Sequence, residues 1–457
     1  MYQDHQGNFA CGPFHVAAPL ALPPLRVGLL GLGTVGGGTY RVLKRNGNVI
    51  AARTGRGIAI TMVAVRNLAR AASVVGDDVA LVDDPFQVVD NPDIDVVVEV
   101  MGGTTLARDL VLRAIANGKH VVTANKALLA EHGAEIFAAA HVQGVVVAYE
   151  GAVAVSIPII KALREGLTAN RIEWVAGIIN GTTNFILTQM RSHGLGFGDA
   201  LEEAQRLGYA EADPTFDVEG VDAAHKLTLL ASNAFGVPVQ FDKVYTEGIT
   251  ALQLDDMGLA ERLGYRVKLL GIAKRTDHGI ELRVHPTLIP HDHLLAQVHG
   301  SMNAVLVKSD AAGVTMYYGA GAGSEQTASA VIADLVDVAR VAGTRHGDRV
   351  PYLAFQPHAV QALPVAAMTD VMTAYYLRVD VCDHEQAAPQ LRNCLAQAGV
   401  HVERLEVFAT SDGCGASSIV VLTHPARDSE VRRVMAELAH LPTQIGGVHA
   451  IRVESLG

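Results

Sequence analysis

LRVGLLGLGTVG, residues 25–36, is the stretch on which the fold of this chain turns. Its first half, 25–30, is a short apolar run that ends directly in glycine, the pattern of a buried parallel strand. Its second half reads G-x-G-x-x-G through Gly31, Gly33 and Gly36, with Thr34 and Val35 between the last two. Gly31 permits a tight turn off the strand, Gly33 leaves bare backbone for a pyrophosphate, and Gly36 lets the following helix pack close to the sheet. That helix, expected over 35–44, would turn unpaired N–H groups and a positive dipole towards the phosphates. The motif alone is weak. A strand before it and a helix after it are the context that makes it a dinucleotide loop.

Working outward, a polar glycine-rich segment (46–57) leads to a second strand expected over 58–65. An NAD-selective loop usually ends that strand with Asp or Glu, whereas here Arg66 follows, with Arg70 four residues on. An arginine there can pair with a 2′-phosphate, which favours NADP and leaves NAD possible; a merely solvent-exposed arginine is the plain alternative. Strands at 94–100 and 120–123 flank a helix at 106–117. Strands alternating with helices imply parallel βαβ units, so residues 25–150 read as a Rossmann domain of the α/β class with a doubly wound parallel sheet.

Residues 151–350 change texture. Helical patterns (199–208, 220–235, 256–264) mix with alternating strands (171–179, 267–273, 280–285, 304–309), which suggests an α+β domain for substrate and dimerisation. A Pro-containing linker, 351–372, precedes a final unit at 373–457 with the βαββαβ order of a ferredoxin-like fold. Residues 1–24 have no basic n-region and read as a poorly ordered leader rather than a signal peptide.

Composition narrows the function. Of 457 residues, 49% are apolar and 18% charged, which is globular, and the net charge of −11 argues against nucleic acid as a partner. The most apolar region, 144–160, is interrupted by Glu150, Ser156 and Pro158, so no membrane span is expected. Cysteines at 11, 382, 394 and 414 have neither zinc-site nor disulfide spacing, and a reducing cytoplasm is the plain reading.

Three later segments concentrate polar chemistry. TANK places Lys126 directly after the strand at 120–123, where doubly wound folds put their ligands; a surface lysine at a helix start is the alternative. GYAEADPTFDVEGVDAAHK, 208–226, gathers Glu211, Asp213, Asp217, Glu219 and Asp222 with Lys226. Asp222 and Lys226 are i and i+4 on an expected helix and share a face, either to grip a zwitterionic amino acid or as an ordinary helix ion pair. NGTTNFIL, 180–187, sets Gly181 in a turn that can offer backbone groups to a substrate.

With GLGTVG, TANKALLA, EGAVAVSIPII, NGTTNFIL, GYAEADPTFDVEGVDAAHKL and YGAGAGSEQTASAV in order over about 25–455, the chain resembles homoserine dehydrogenase, in the long bacterial form with a C-terminal ACT domain. The resemblance implies reversible NAD(P)-dependent interconversion of L-homoserine and L-aspartate 4-semialdehyde, on the route to threonine and methionine, by a homodimer or homotetramer. It implies Lys226 as proton donor and acceptor, Lys126 between nicotinamide and substrate, and Glu211, Asp217 and Asp222 around homoserine. Thr34, Val35 and Gly208 would touch the cofactor, and Gly321 and Gly323 would approach it. A sodium-type site, built largely of main-chain carbonyls, maps onto Glu150, Val153, Val155 and Ile157. Relatives carry a Pro-Gly pair near an amino-acid effector in the first ACT loop, where this chain reads DHEQAAPQL (383–391).

A lysine titrates near 10.4, so its use as a base needs burial or a second cation; Lys126 and Lys226, if they converge, would each be that cation for the other. Which of them takes the proton stays open at this point, with Lys226 favoured. Aspartate-semialdehyde dehydrogenase is excluded, because its thioester needs a cysteine and none lies between 12 and 381. The alternative from another class is a non-catalytic Rossmann/ACT regulator that senses amino acids. It predicts eroded catalytic residues, and both lysines and the acids are present.

Overall fold

The computed structural model describes residues 22–342, 344, 349–409 and 416–456. Its first sheet contains β1 (Leu22–Leu30), β2 (Arg56–Ala64), β3 (Ala80–Val82), β4 (Val96–Glu99), β5 (His120–Thr123) and β6 (Val147–Ala148). Every pairing is parallel, in the order β3-β2-β1-β4-β5-β6. The order reverses between β1 and β4, which opens a crevice at their carboxyl ends. Connecting helices are α1 (Thr34–Thr54), α2 (Leu68–Ala72), α3 (Phe86–Asp90), α4 (Thr105–Ala116) and α5 (Lys126–Gln143).

Two local expectations need correction. Residues 22–24, assigned to a leader, belong to β1: Leu22 pairs with Arg56, whose Nε donates to the Pro23 carbonyl at 2.9 Å. The rest of the leader, 1–21, lies outside the described residues. The first helix does not stop at 44 but runs through Asn46-Gly47-Asn48 to Thr54. Glycine inside a helix costs about 1 kcal/mol. Burying Ile50 on the face of Val42 and Leu43 outweighs that cost. The helix ends at Gly55, which takes φ +75° and donates its N–H to the Ala51 carbonyl.

The middle of the chain contributes α6 (Ile159–Lys161), which runs into one π turn (Ala162–Gly166), then β7 (Ile172–Ile178), α7 (Gly181–His193), α8 (Phe197–Arg206), α9 (Thr215–Val218) and α10 (Val221–Phe235). There follow β8 (Tyr245–Thr246), α11 (Leu254–Arg262), β9 (Tyr265–Thr276), β10 (Gly279–Pro290), β11 (Met302–Ser309), β12 (Gly313–Ala320) and α12 (Ser324–Val341). α10 is buried from Asp222 to Phe235, so its charged residues lie inside the protein.

α12 returns to the first sheet. Ala328, Val331, Leu335 and Val338 join Val27, Leu29, Val96 and Val98 in one core. Gly38 of α1 permits the close approach, since a Cβ there would lie 2.6 Å from the Ser324 carbonyl oxygen. The break in texture at 150 therefore separates two patterns of sequence but not two cores.

The last unit contains β13 (Met372–Val381), α13 (His384–Gln397), β14 (Val402–Ala409), β15 (Ser417–Thr423), β16 (Ala426–Arg427), α14 (Asp428–Leu438) and β17 (Gln444–Val453). Its strands run β17-β13-β15-β14, and the two helices pack with them around Leu377, Leu391, Leu395, Val421 and Leu438. The order is ferredoxin-like, as read. The unit is not set apart. β17 pairs in parallel with β10 at Thr287↔Arg452 and Leu288↔Val453, which makes one mixed sheet of eleven strands. The segment read as a linker is packed as well: Ile280 bridges Val365, and its N–H donates to the Pro364 carbonyl at 2.9 Å. No helix among the described residues is long and apolar enough to cross a membrane.

Candidate active site

The crevice after β1 is a cleft of about 1030 Å³. Gly31, Gly33 and Thr34 form one wall, Arg66, Asn67 and Arg70 another, and Met101, Gly102, Gly103 and Thr104 a third. Gly31 takes φ +98°, as its assigned turn requires, and Gly33 has open space where a Cβ would project. At Gly36 a Cβ would lie 2.1 Å from the Gly31 carbonyl oxygen, so its absence sets how tightly α1 sits under the loop. Val35 and Gly36 thus shape the loop from below and are not cleft walls. β2 ends at Ala64; Arg66 lies exposed just beyond it, with no carboxylate at the strand end. Ser324 at the start of α12 closes the cleft, donating to the Thr34 carbonyl at 2.6 Å and accepting from Arg41 at 3.2 Å.

Lys126 is the first residue of α5, which Asn125 caps by accepting the Leu128 N–H at 3.1 Å. Lys126 reaches across to α10, where its Nζ lies 3.0 Å from Asp222 Oδ1. The other oxygen of the same carboxylate, Oδ2, accepts from Lys226 Nζ at 2.6 Å. Lys226 also donates to the Ile179 carbonyl at 2.8 Å. Asn180, the cap of α7, donates to Asp222 Oδ2 at 2.8 Å and to Asp217 Oδ1 at 2.7 Å. Two lysines, two aspartates and Asn180, from four segments, thus converge on the buried Asp222 carboxylate.

The electrostatics separate the two lysines. Burial pushes the Lys226 ammonium down, and the positive charge of Lys126 adds to this against the pull of Asp222. Asp222 pushes Lys126 the opposite way, above the ordinary lysine value, because Lys126 is less deeply buried and also faces Asp217 and Glu211. The expectation that each lysine would depress the other holds for Lys226 only. Burial alone would raise the Asp222 carboxyl, but Lys226 and Lys126 hold it well below the usual range. Burial and the Asp222 charge push Asp217 up.

The other expected residues are placed less centrally. Glu211 is exposed on the segment after α8, and its charge reaches Lys126 through space. Gly208 is exposed at φ +77°, outside the cleft walls. Gly181 opens α7, and a Cβ there would come within 2.7 Å of the Ser301 carbonyl oxygen. Gly323 takes φ +135° as the cap of α12, while Gly321 lies on the side chain of Asn303, where a Cβ would be 2.3 Å from its amide. Both glycines lie in the turn between β12 and α12, next to Ser324 of the cleft. Glu150 spends its carboxylate on the N–H groups of Ile160 (3.0 Å) and Lys161 (2.9 Å).

Sequence reasoning did not single out Asn180, Ser324, Asn303 or the loop at 101–104. Asn180 carried a signal, since an Asn before a helical run is a cap. The others carried none, because their roles depend on contacts between distant segments. Asn303 is fully buried beside Gly321 and Gly181, and neither atom of its amide has a partner among the described residues.

Comparisons with known proteins identify the family. Residues 31–150 match the family model described as homoserine dehydrogenase, NAD binding domain, and residues 158–336 the model described as homoserine dehydrogenase. The chain is 54% identical over 435 residues to the homoserine dehydrogenase of Pseudomonas aeruginosa, covering 95% of this chain and 100% of that one. It is 51% identical to that of Neisseria gonorrhoeae with the same coverage. The crystal structure of a homoserine dehydrogenase from Thiobacillus denitrificans superimposes with a TM-score of 0.90 at 56% identity, covering 95% of this chain and 99% of that one. On these matches, and with the lysine–aspartate centre beside the dinucleotide cleft, the chain belongs to the homoserine dehydrogenase family.

Proposed function

We propose that Lys226 is the acid/base of the reversible oxidation of L-homoserine to L-aspartate 4-semialdehyde, with Lys126 as the permanent cation beside it and NADP as the preferred coenzyme. The observation that carries this reading is the Asp222 carboxylate shared between two lysines whose ammonium groups are pushed in opposite directions. A dinucleotide held in the cleft by Gly31, Gly33 and Thr34 would supply the hydride acceptor for the alcohol carbon. The neutral amine of Lys226 takes the hydroxyl proton, and in the reverse direction its ammonium returns that proton to the carbonyl oxygen. Lys126 stays charged and stabilises the oxygen as negative charge develops on it. Asp222 keeps Lys226 in place, while Asp217 and Glu211 offer carboxylates to the substrate ammonium, with the backbone at Gly181 beside them.

The pH profile tests the assignment. Homoserine oxidation should rise with unit slope as Lys226 loses its proton and level off below the ordinary lysine value of about 10.4. Aldehyde reduction should fall over the same range. A plateau reached only above that value would remove a depressed lysine from the mechanism.

The NADP reading rests on Arg66 and Arg70 in the cleft wall. Arg66→Ala should raise the KM for NADPH about tenfold and change that for NADH little. Equal changes for both coenzymes would show that Arg66 does not distinguish them.

A monovalent cation fits the 150–157 loop through its main-chain oxygens, the donor type that hard cations select. The carbonyls of Val153 and Val155 accept no hydrogen bond among the described residues, and Ala154 is held at φ +51° between them. Glu150, Val153, Val155 and Ile157 would hold the ion through main-chain oxygens, those of Glu150 and Ile157 while also accepting from the N–H groups of Val153 and Ile159, and it would stiffen the loop rather than enter the chemistry. A cytoplasmic enzyme that assembles as a homodimer or homotetramer completes the reading. For assembly, β12 is, among the described residues, an open edge of the large sheet with Val314 and Tyr318 exposed.

A further inference from the structure

β4 reads Val-Val-Val-Glu, and all four residues are buried. A carboxylate at such a position is costly unless hydrogen bonds compensate, and burial pushes the Glu99 carboxyl up. Glu99 lies opposite Leu30, the last residue of β1, and so at the head of the crevice. Its Oε1 accepts the Met101 N–H at 3.0 Å and its Oε2 the Thr123 hydroxyl at 2.8 Å.

These two bonds belong to a closed ring. The Thr123 hydroxyl oxygen also accepts the Asn125 N–H at 3.0 Å, and the Asn125 amide donates to the Gly103 carbonyl at 2.7 Å. That carbonyl lies on the loop that Met101 opens. Gly102 and Gly103 take φ +77° and +76°, which other residues adopt only under strain, and Met101 to Thr104 form a wall of the dinucleotide cleft. On its other side the ring ends at Asn125, the cap from which Lys126 projects.

We propose that Glu99 is a positioning residue for the hydride-transfer reaction: its buried carboxylate ties the cleft wall at 101–104 to the turn that presents Lys126. The inference rests on the assignment of Lys126 to the active centre. The hydrogen-bond partners of Glu99 all belong to that wall and that turn, and a valine would serve the strand itself at lower cost. A displacement of about 1 Å between such parts is enough to slow a reaction about a hundredfold.

The test compares Glu99→Ala, Glu99→Gln, Thr123→Val and Lys126→Ala in the full chain. Adenosine 2′,5′-bisphosphate, which carries the adenosine half of the coenzyme only, serves as the binding probe. Glu99→Ala should lose about ten- to a hundredfold in kcat while binding the probe within about twofold of the parent. Glu99→Gln, whose Oε1 can still accept the Met101 N–H, should recover most of the rate. Thr123→Val removes the hydroxyl that closes the ring without changing shape. It should lose about tenfold in kcat while binding the probe within about twofold of the parent, with a melting temperature lowered by the lost buried hydrogen bonds, and it carries the test should Glu99→Ala not fold. Parent-like kcat in Glu99→Ala or in Thr123→Val, beside an impaired Lys126→Ala, overturns the inference. So does a joint fall of kcat, probe binding and melting temperature in Glu99→Gln, which would mark a purely structural carboxylate. Parent-like kcat in Lys126→Ala instead overturns the assignment of Lys126.

Discussion

Lys226→Ala is expected to bind NADPH as the parent does and to oxidise homoserine about 10²- to 10⁴-fold more slowly, the range a positioned acid/base supplies. The structure explains why the loss should fall on chemistry and not on folding. With Lys226 gone, Asp222 keeps Lys126 at 3.0 Å and the Asn180 amide at 2.8 Å, so the carboxylate is not left bare. The cleft that receives the dinucleotide is built from other segments, at 31–34, 66–70 and 101–104. Stopped-flow turnover in both directions, with NADPH binding followed by fluorescence, separates the two effects. The rise of oxidation with pH should also disappear in the variant. A kcat equal to that of the parent would exclude Lys226 as the proton carrier.

Asp222→Asn should be damaging in a different way. The substitution keeps the shape but removes the one negative charge that, among the described residues, both lysines touch. Breaking a buried ion pair by removing one partner costs about 3–5 kcal/mol, because the other charge stays behind in low dielectric. Lys226, almost fully buried, should respond by giving up its proton more readily still. Three results are expected together: a lower melting temperature, an activity at least about a hundredfold down, and any remaining pH-dependent rise moved to lower pH. Adding Lys226→Met should restore much of the stability and none of the activity, since the stranded charge goes but the base goes with it. A single Asp222→Asn variant with parent stability and an unmoved pH profile would show that the carboxylate is not what controls Lys226.

Much of the site was legible in the residue order because its parts are local. The glycine loop declares itself by spacing, and the structure shows a positive φ at Gly31, open space at Gly33 and a contact at Gly36 too close for a Cβ. Asp222 and Lys226 are four apart on one helix, so their pairing is a property of helical geometry. Local reading failed where a long-range contact overrode it. The Asn46-Gly47-Asn48 stretch looked like a loop and is helix, because Ile50 beyond it is buried in the first core. The segment at 351–372 looked like a linker and is packed, because β10 bonds to it.

By itself, then, the order of residues determined the dinucleotide loop, the alternation that makes a parallel sheet, the βαββαβ pattern of the last unit, and which lysines and acids to watch. These follow from hydrogen bonding and side-chain spacing within one segment. Only the tertiary structure decided that Lys126 and Lys226 share one carboxylate and that the one holds its proton more tightly than an ordinary lysine and the other less. It also decided that α12 closes the first core, and that Glu99 joins the cleft wall to the lysine turn. Each of these depends on charges or surfaces brought within a few ångströms from segments far apart in the chain. Coulomb interaction and desolvation act on that separation in space and not on separation along the sequence.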